Sequence, residues 1–112
     1  MDDKAGKKDQ ARRLEKGEGI YVDDLAAGAV VEIETQHHHY TLVKRDGPQV
    51  LISGHPQFCP KPVAVQIEGS FAGPHVQNPK VGFIGRGMYL LFKHPLYRSV
   101  VTSRIREIHR LG

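Results

Sequence analysis

The stretch Pro62-Val63-Ala64-Val65-Gln66-Ile67-Glu68-Gly69 decides the fold class. Val63, Val65 and Ile67 fall on one side; Ala64, Gln66 and Glu68 fall on the other. Strict alternation is the period of a half-buried β-strand, whose successive side chains point to opposite faces. The same alternation recurs upstream in Val30–Thr35, where Val31, Ile33 and Thr35 oppose Glu32 and Glu34. Gln36–His39 reads either as a loop or as a continuation of that strand. Tyr40–Arg45 and Gln49–Ser53 read as two further strands. Asp46-Gly47-Pro48 joins them, because Asp-Gly is a strong hairpin signal.

Working outward, Ile20–Val22 is a first short ordered piece. A turn over Asp23–Gly28 follows, anchored by Leu25, with Gly28 free to take the positive φ of a tight turn. Gly54–Pro62 holds three prolines and is an irregular loop, and Ser70–Lys80 is a polar one. Val81–Ile84 reads as a short strand, and Gly85-Arg86-Gly87 as a bend or bulge. Met88–Lys93 is apolar on both faces, with Met88, Leu90 and Phe92 opposing Tyr89 and Leu91, so it is either central or at an interface. His94–Arg98 turns into a last strand, Ser99–Ser103. Beyond it, Ile105, Ile108 and Leu111 recur at helical spacing, but three arginines near a helix start would oppose its dipole. The preferred reading is a short turn at Ser103, then a strand with Arg104, Arg106 and Arg110 on one face. No internal repeat is visible.

Two stretches resemble known β proteins. Leu25-Ala26-Ala27-Gly28-Ala29-Val30-Val31-Glu32-Ile33 resembles the opening of many small SH3-like barrels. Met88-Tyr89-Leu90-Leu91-Phe92, followed by Val101-Thr102-Ser103-Arg104-Ile105, resembles the endings of uncharacterised small bacterial β proteins. The resemblance implies an all-β fold, a small antiparallel SH3-like barrel of about six strands. It carries over no catalytic or binding residue.

The 112 residues are enough for one domain. Residues 1–19 are almost all polar or charged and read as a disordered, flexible tail; residues 20–112 read as the β domain. A single cysteine, Cys59, excludes a disulfide scaffold. The opening residues lack the apolar run of a secretion signal, and no stretch reaches the length of a membrane span. The expectation is a cytoplasmic protein that does not engage membranes.

Charge is uneven. Residues 1–19 carry a net +1, residues 20–79 a net −3 and residues 80–112 a net +6, which together give the chain's +4. Lys80, Arg86, Lys93, Arg98, Arg104, Arg106 and Arg110 supply the last group, with Tyr89 and Tyr97 among them. Arginine clusters attract phosphates, and aromatic rings stack on bases, so these nine residues are the candidate anion or nucleic-acid surface. The competing reading is a set of scattered arginines paired with Glu32, Glu34, Glu68 and Glu107.

Within the run His37-His38-His39, His37 and His39 are the candidate metal ligands. In a strand His37 and His39 share a face, and His55, Cys59, His75 or His94 would have to complete the set. The alternative is a solvated hairpin tip. Cys59 beside His55 lacks any sign of an oxyanion site and reads as a buried small hydrophobe rather than a nucleophile. Gly82-Phe83-Ile84-Gly85-Arg86-Gly87 leads into a strand rather than a helix, which excludes a phosphate-cradling loop. No catalytic constellation or cofactor motif is legible. The expected function is therefore a non-catalytic module for protein interaction, assembly or self-association. Anion or nucleic-acid binding and metal binding are the alternatives.

Overall fold

The computed structural model describes residues 19–73 and 78–111. The tail expected over residues 1–19 lies outside them apart from Gly19. His75 also lies outside them.

The chain is all-β. Its strands are β1 (Gly19–Tyr21), β2 (Val30–Thr35), β3 (His39–Lys44), β4 (Gln49–Ser53), β5 (Val63–Phe71), β6 (Lys80–Val81), β7 (Phe83–Gly85), β8 (Tyr89–His94) and β9 (Arg98–Arg110). A 3-10 turn, Val22–Asp24, follows β1. All pairings are antiparallel. β1 and β7 form a two-stranded sheet. The other strands form a seven-stranded sheet in the order β4-β3-β2-β9-β8-β5-β6, and β4 also pairs with β5.

The expected SH3-like barrel of about six strands is corrected by this topology. Among the described residues nine strands form two sheets, and the larger sheet ends in β6, beyond the β4–β5 contact. The physical causes lie in the last third of the chain. Gly82 takes φ +68, which breaks the expected Val81–Ile84 strand into β6 and β7. Nothing breaks β9, which runs 13 residues and pairs with both β8 and β2. The resemblance to SH3-like openings fails as well. Leu25 lies just after the 3-10 turn, and regular strand begins only at Val30.

The strand alternation places the core. Val31, Ile33, Tyr40, Leu42, Val50, Ile52, Val65, Leu90 and Phe92 are almost fully buried. Leu90 and Phe92 face inward while Tyr89 and Leu91 are half-buried on the other side. A central position between β5 and β9 thus accounts for the two-faced β8.

β9 holds the expected turn at Ser103 as bulges instead. Its pairing slips between Tyr89 and Leu91 on the β8 side and between Glu34 and Thr35 on the β2 side. Each slip gives β9 one extra residue against its neighbour. Thr102, Ile105 and Ile108 are therefore all buried at three-residue spacing on a strand. Among the described residues no helix is long and apolar enough to cross a membrane.

Candidate functional site

Successive antiparallel strands send alternate connections to opposite ends of a sheet. Three connections meet at one end: the β2–β3 turn (36–38), the β4–β5 loop (54–62) and the β8–β9 turn (95–97). Five of the seven histidines, His37, His38, His39, His55 and His94, lie in these connections or next to them.

Thr35 and Ser103 build the first turn. The Thr35 hydroxyl donates to the His38 carbonyl at 3.0 Å and accepts from the His38 N–H. It also accepts from the Ser103 hydroxyl at 2.9 Å, and that oxygen takes the His37 N–H. The histidine run is thereby fastened to β9.

The other two connections use one device twice. His55-Pro56-Gln57-Phe58 and His94-Pro95-Leu96-Tyr97 share the pattern His-Pro-x-aromatic. In the first, His55 Nδ1 accepts the N–H groups of Gln57 and Phe58 at 3.0 and 3.2 Å. In the second, His94 Nδ1 accepts those of Leu96 and Tyr97 at 2.9 and 3.4 Å. The proline has no N–H to compete, and its fixed φ starts the turn. With Nδ1 accepting, the buried His94 carries its proton on Nε2 and donates it to the Phe58 carbonyl at 2.8 Å. That bond ties one copy of the device to the other. The four-residue repeat is legible in the sequence but is too short to register as a structural repeat.

The rings of this end form a chain. His38 lies 4.1 Å from His55, His55 4.6 Å from Phe58, and Phe58 meets Tyr97 edge-on at 5.1 Å. Tyr97 then lies 4.8 Å from His94. Burial, with the His38 imidazole second, lowers the pKa of His55. Burial also pushes the Tyr40 phenol beneath these rings up to about 12, with the Cys59 thiol adding to the shift. Cys59 is itself buried, and burial raises its pKa, partly offset by the backbone hydrogen bond of the His55–Cys59 turn. A raised, enclosed thiol fits the expected packing role.

A shallow groove of about 130 Å³ runs between His37, His38, His55 and Phe58 on one side and Val100–Ser103 on the other. Val101, one of its lining residues, is 54% exposed, and in the β8–β9 turn Leu96 is 80% and Tyr97 45% exposed. The three connections contain Lys61 and no acid, and Arg98 follows them directly.

No protein-family model matches the chain, and no curated protein or solved structure is significantly similar to it.

The expected metal pair does not assemble. His39 Nε2 faces Glu32 at 3.5 Å, while the His37 backbone is held against Ser103. Among the described residues no group of three His, Cys, Asp or Glu side chains is placed to hold a metal ion.

The nine residues of the expected basic surface fall into separate places. Lys80 sits over the Phe83 ring at 4.3 Å, and Lys93 pairs with Glu68 at 3.4 Å. Arg98 opens β9 beside Tyr97, and Arg110 lies at its far end opposite Val31. Arg86, Arg104 and Arg106 come together with Tyr89. Tyr89 is five strand residues from His94, about 17 Å, so the two tyrosines do not share a site. Sequence reasoning joined them by charge and missed Phe58, His38 and Leu96, whose link is the turn geometry.

Proposed function

We propose that this chain is a non-catalytic protein-interaction module, and that the end formed by the three connections is its contact surface. The observation that carries the reading is the exposure of Leu96 and Tyr97, neighbours in the β8–β9 turn, on a preformed, ring-braced frame whose groove Val101 also lines. Contiguous exposed apolar side chains with a polar rim mark contact sites, and buried aromatic and aliphatic anchors supply most interface energy. The frame is pre-organised: each His-Pro-x-aromatic turn is closed by side-chain hydrogen bonds before any partner arrives, which reduces the ordering cost of binding. A second apolar row, Val30, Val43, Leu51 and Ala64, crosses the outer face of β2, β3, β4 and β5, but each of its members is half-buried. It therefore offers less area to a partner.

Charge selects the partner's chemistry. With Lys61 and Arg98 on its rim and no acid in its connections, the surface complements a protein segment that carries an aromatic or large aliphatic anchor flanked by carboxylates. A cytoplasmic setting fits the single unpaired thiol.

The test is selection of a displayed random-peptide library on the purified protein, with the Leu96→Ser/Tyr97→Ser variant as the counter-target. Peptides combining an apolar anchor with Asp or Glu, and binding the variant at least tenfold more weakly, are expected. Failure to enrich any sequence, or equal binding to the variant, would refute the reading.

A further inference from the structure

Arg86, Arg104 and Arg106 lie outside the core, and Arg104 adjoins the β2–β3 turn, where its carbonyl accepts the Gln36 N–H at 2.9 Å. They line a depression of about 390 Å³ with Gly87, Ile105 and Glu107. A second, of about 240 Å³, lies beside it and is lined by Gln36 and again by Arg104 and Arg106. These two arginines thus line both depressions. Among the described residues neither has a carboxylate at ion-pair distance, whereas Arg86 has Glu107 at 3.7 Å.

Two of the three guanidinium groups are held in place. Arg104 lies 5.2 Å from the Tyr89 ring centroid and donates to the Tyr89 hydroxyl at 3.1 Å. Arg86 donates through Nε to the Arg106 carbonyl at 3.1 Å. A guanidinium has five N–H donors, and these contacts leave most of them open. The arrangement follows from strand alternation: Arg104 and Arg106 flank the buried Ile105 and both face outward.

We propose that Arg104, Arg106 and Arg86 form a binding site for a phosphate monoester group. Oriented guanidinium forks match the tetrahedral oxyanion, which accepts paired N–H bonds that a lysine cluster cannot supply. A stacked nucleic-acid strand fits less well. Arg104 already lies over the Tyr89 ring, and Tyr97 is engaged with Phe58 and His94 at the other end of β8, so among the described residues neither tyrosine offers the arginines a free ring for a base. Glu107 is the opposing group. Its carboxylate holds Arg86 and repels an incoming anion, so its removal strengthens binding.

The experiment is an amide and arginine side-chain NMR titration of the full chain at constant ionic strength, with inorganic phosphate and phosphoserine as probes. Chloride serves as the control and a short oligonucleotide as the third arm. The expected result is saturable shifts at Gly87 and residues 104–107 with both phosphate probes. Arg104→Gln/Arg106→Gln should weaken binding at least tenfold, and Glu107→Gln should strengthen it about threefold or more. Unfolding curves of the variants, matched to the parent chain, show that the fold is intact. Linear, non-saturating shifts, shifts spread equally over Lys61, Lys93 and Arg98, or a Glu107→Gln variant no tighter than the parent would overturn the proposal. So would saturable binding of the oligonucleotide alone, which would assign the arginines to a nucleic-acid backbone.

Discussion

Replacing His94 by alanine removes the link between the two His-Pro-x-aromatic turns. Three hydrogen bonds go with the ring, of which two are short: Nε2 to the Phe58 carbonyl at 2.8 Å and the Leu96 N–H to Nδ1 at 2.9 Å. Each is worth about 1 kcal/mol net. The imidazole is 6% exposed, so its loss also leaves a hole, costing about 1–2 kcal/mol more. The expected destabilisation is about 3–4 kcal/mol, a large part of the roughly 5–15 kcal/mol that holds a domain together. His94→Asn separates the two roles. Its side-chain oxygen accepts the Leu96 N–H as in an Asx turn, but it does not reach Phe58, so about 2 kcal/mol should be lost. Urea unfolding measures both values. Amide exchange adds the location: Phe58 and Cys59 should lose protection in both variants, Leu96 and Tyr97 only in His94→Ala. A His94→Ala protein within about 0.5 kcal/mol of the parent would refute the reasoning, because changes that small are typical of surface positions without a structural role.

Three further outcomes follow from the same structure. Lys44 is nearly buried and its Nζ donates to the carbonyls of Arg45 and Gly47 at 2.7 and 2.6 Å, so Lys44→Met should cost about 1–2 kcal/mol in urea unfolding while keeping the apolar stem. The buried Ser70 hydroxyl donates to the Phe83 carbonyl and accepts the Gly85 N–H at 3.2 Å, joining β5 to β7; Ser70→Ala should cost about 1–3 kcal/mol and expose β7 amides to exchange, and unchanged exchange would contradict that role. Because the folded pKa of His55 lies below its ordinary value near 6.5, the unfolded chain binds more protons, so this group's contribution is complete above about pH 6.5 and declines as pH falls toward the lowered folded value. The groups facing it are His38, Tyr40, Phe58 and Cys59. An NMR pH titration should show the Gln57 and Phe58 amides moving with His55 as Nδ1 ceases to accept, and amides indifferent to that titration would contradict the turn assignment.

Strand identity was legible wherever one face is buried and the other wet. Val31, Ile33, Val65 and Ile67 announce β2 and β5 because period-2 alternation admits no other regular structure. The closing strand was harder for a physical reason. Bulges turn the inward spacing of Thr102, Ile105 and Ile108 from two residues to three, and three is also helical spacing. The arrangement of the sheets was not legible, since it depends on how β9 divides its two edges between β8 and β2 and on the Gly82 backbone. For the candidate site, composition marked the histidines and arginines but not their grouping. His37 and His39 share a segment yet face different partners, whereas His55 and His94 stand 39 positions apart in sequence and serve one frame. The readable signal was the repeated His-Pro-x-aromatic tetrapeptide, whose meaning depends on ring nitrogens capping backbone N–H groups.

The most direct measurement of the central claim is an amide-shift map of the labelled full chain titrated with a peptide selected for binding to it. The account predicts saturable shifts centred on His38, Gln57, Phe58, Leu96, Tyr97 and Val101, lost in the Leu96→Ser/Tyr97→Ser variant. Shifts centred instead on the outer row of Val30, Val43, Leu51 and Ala64, or on Arg104 and Arg106, would contradict it.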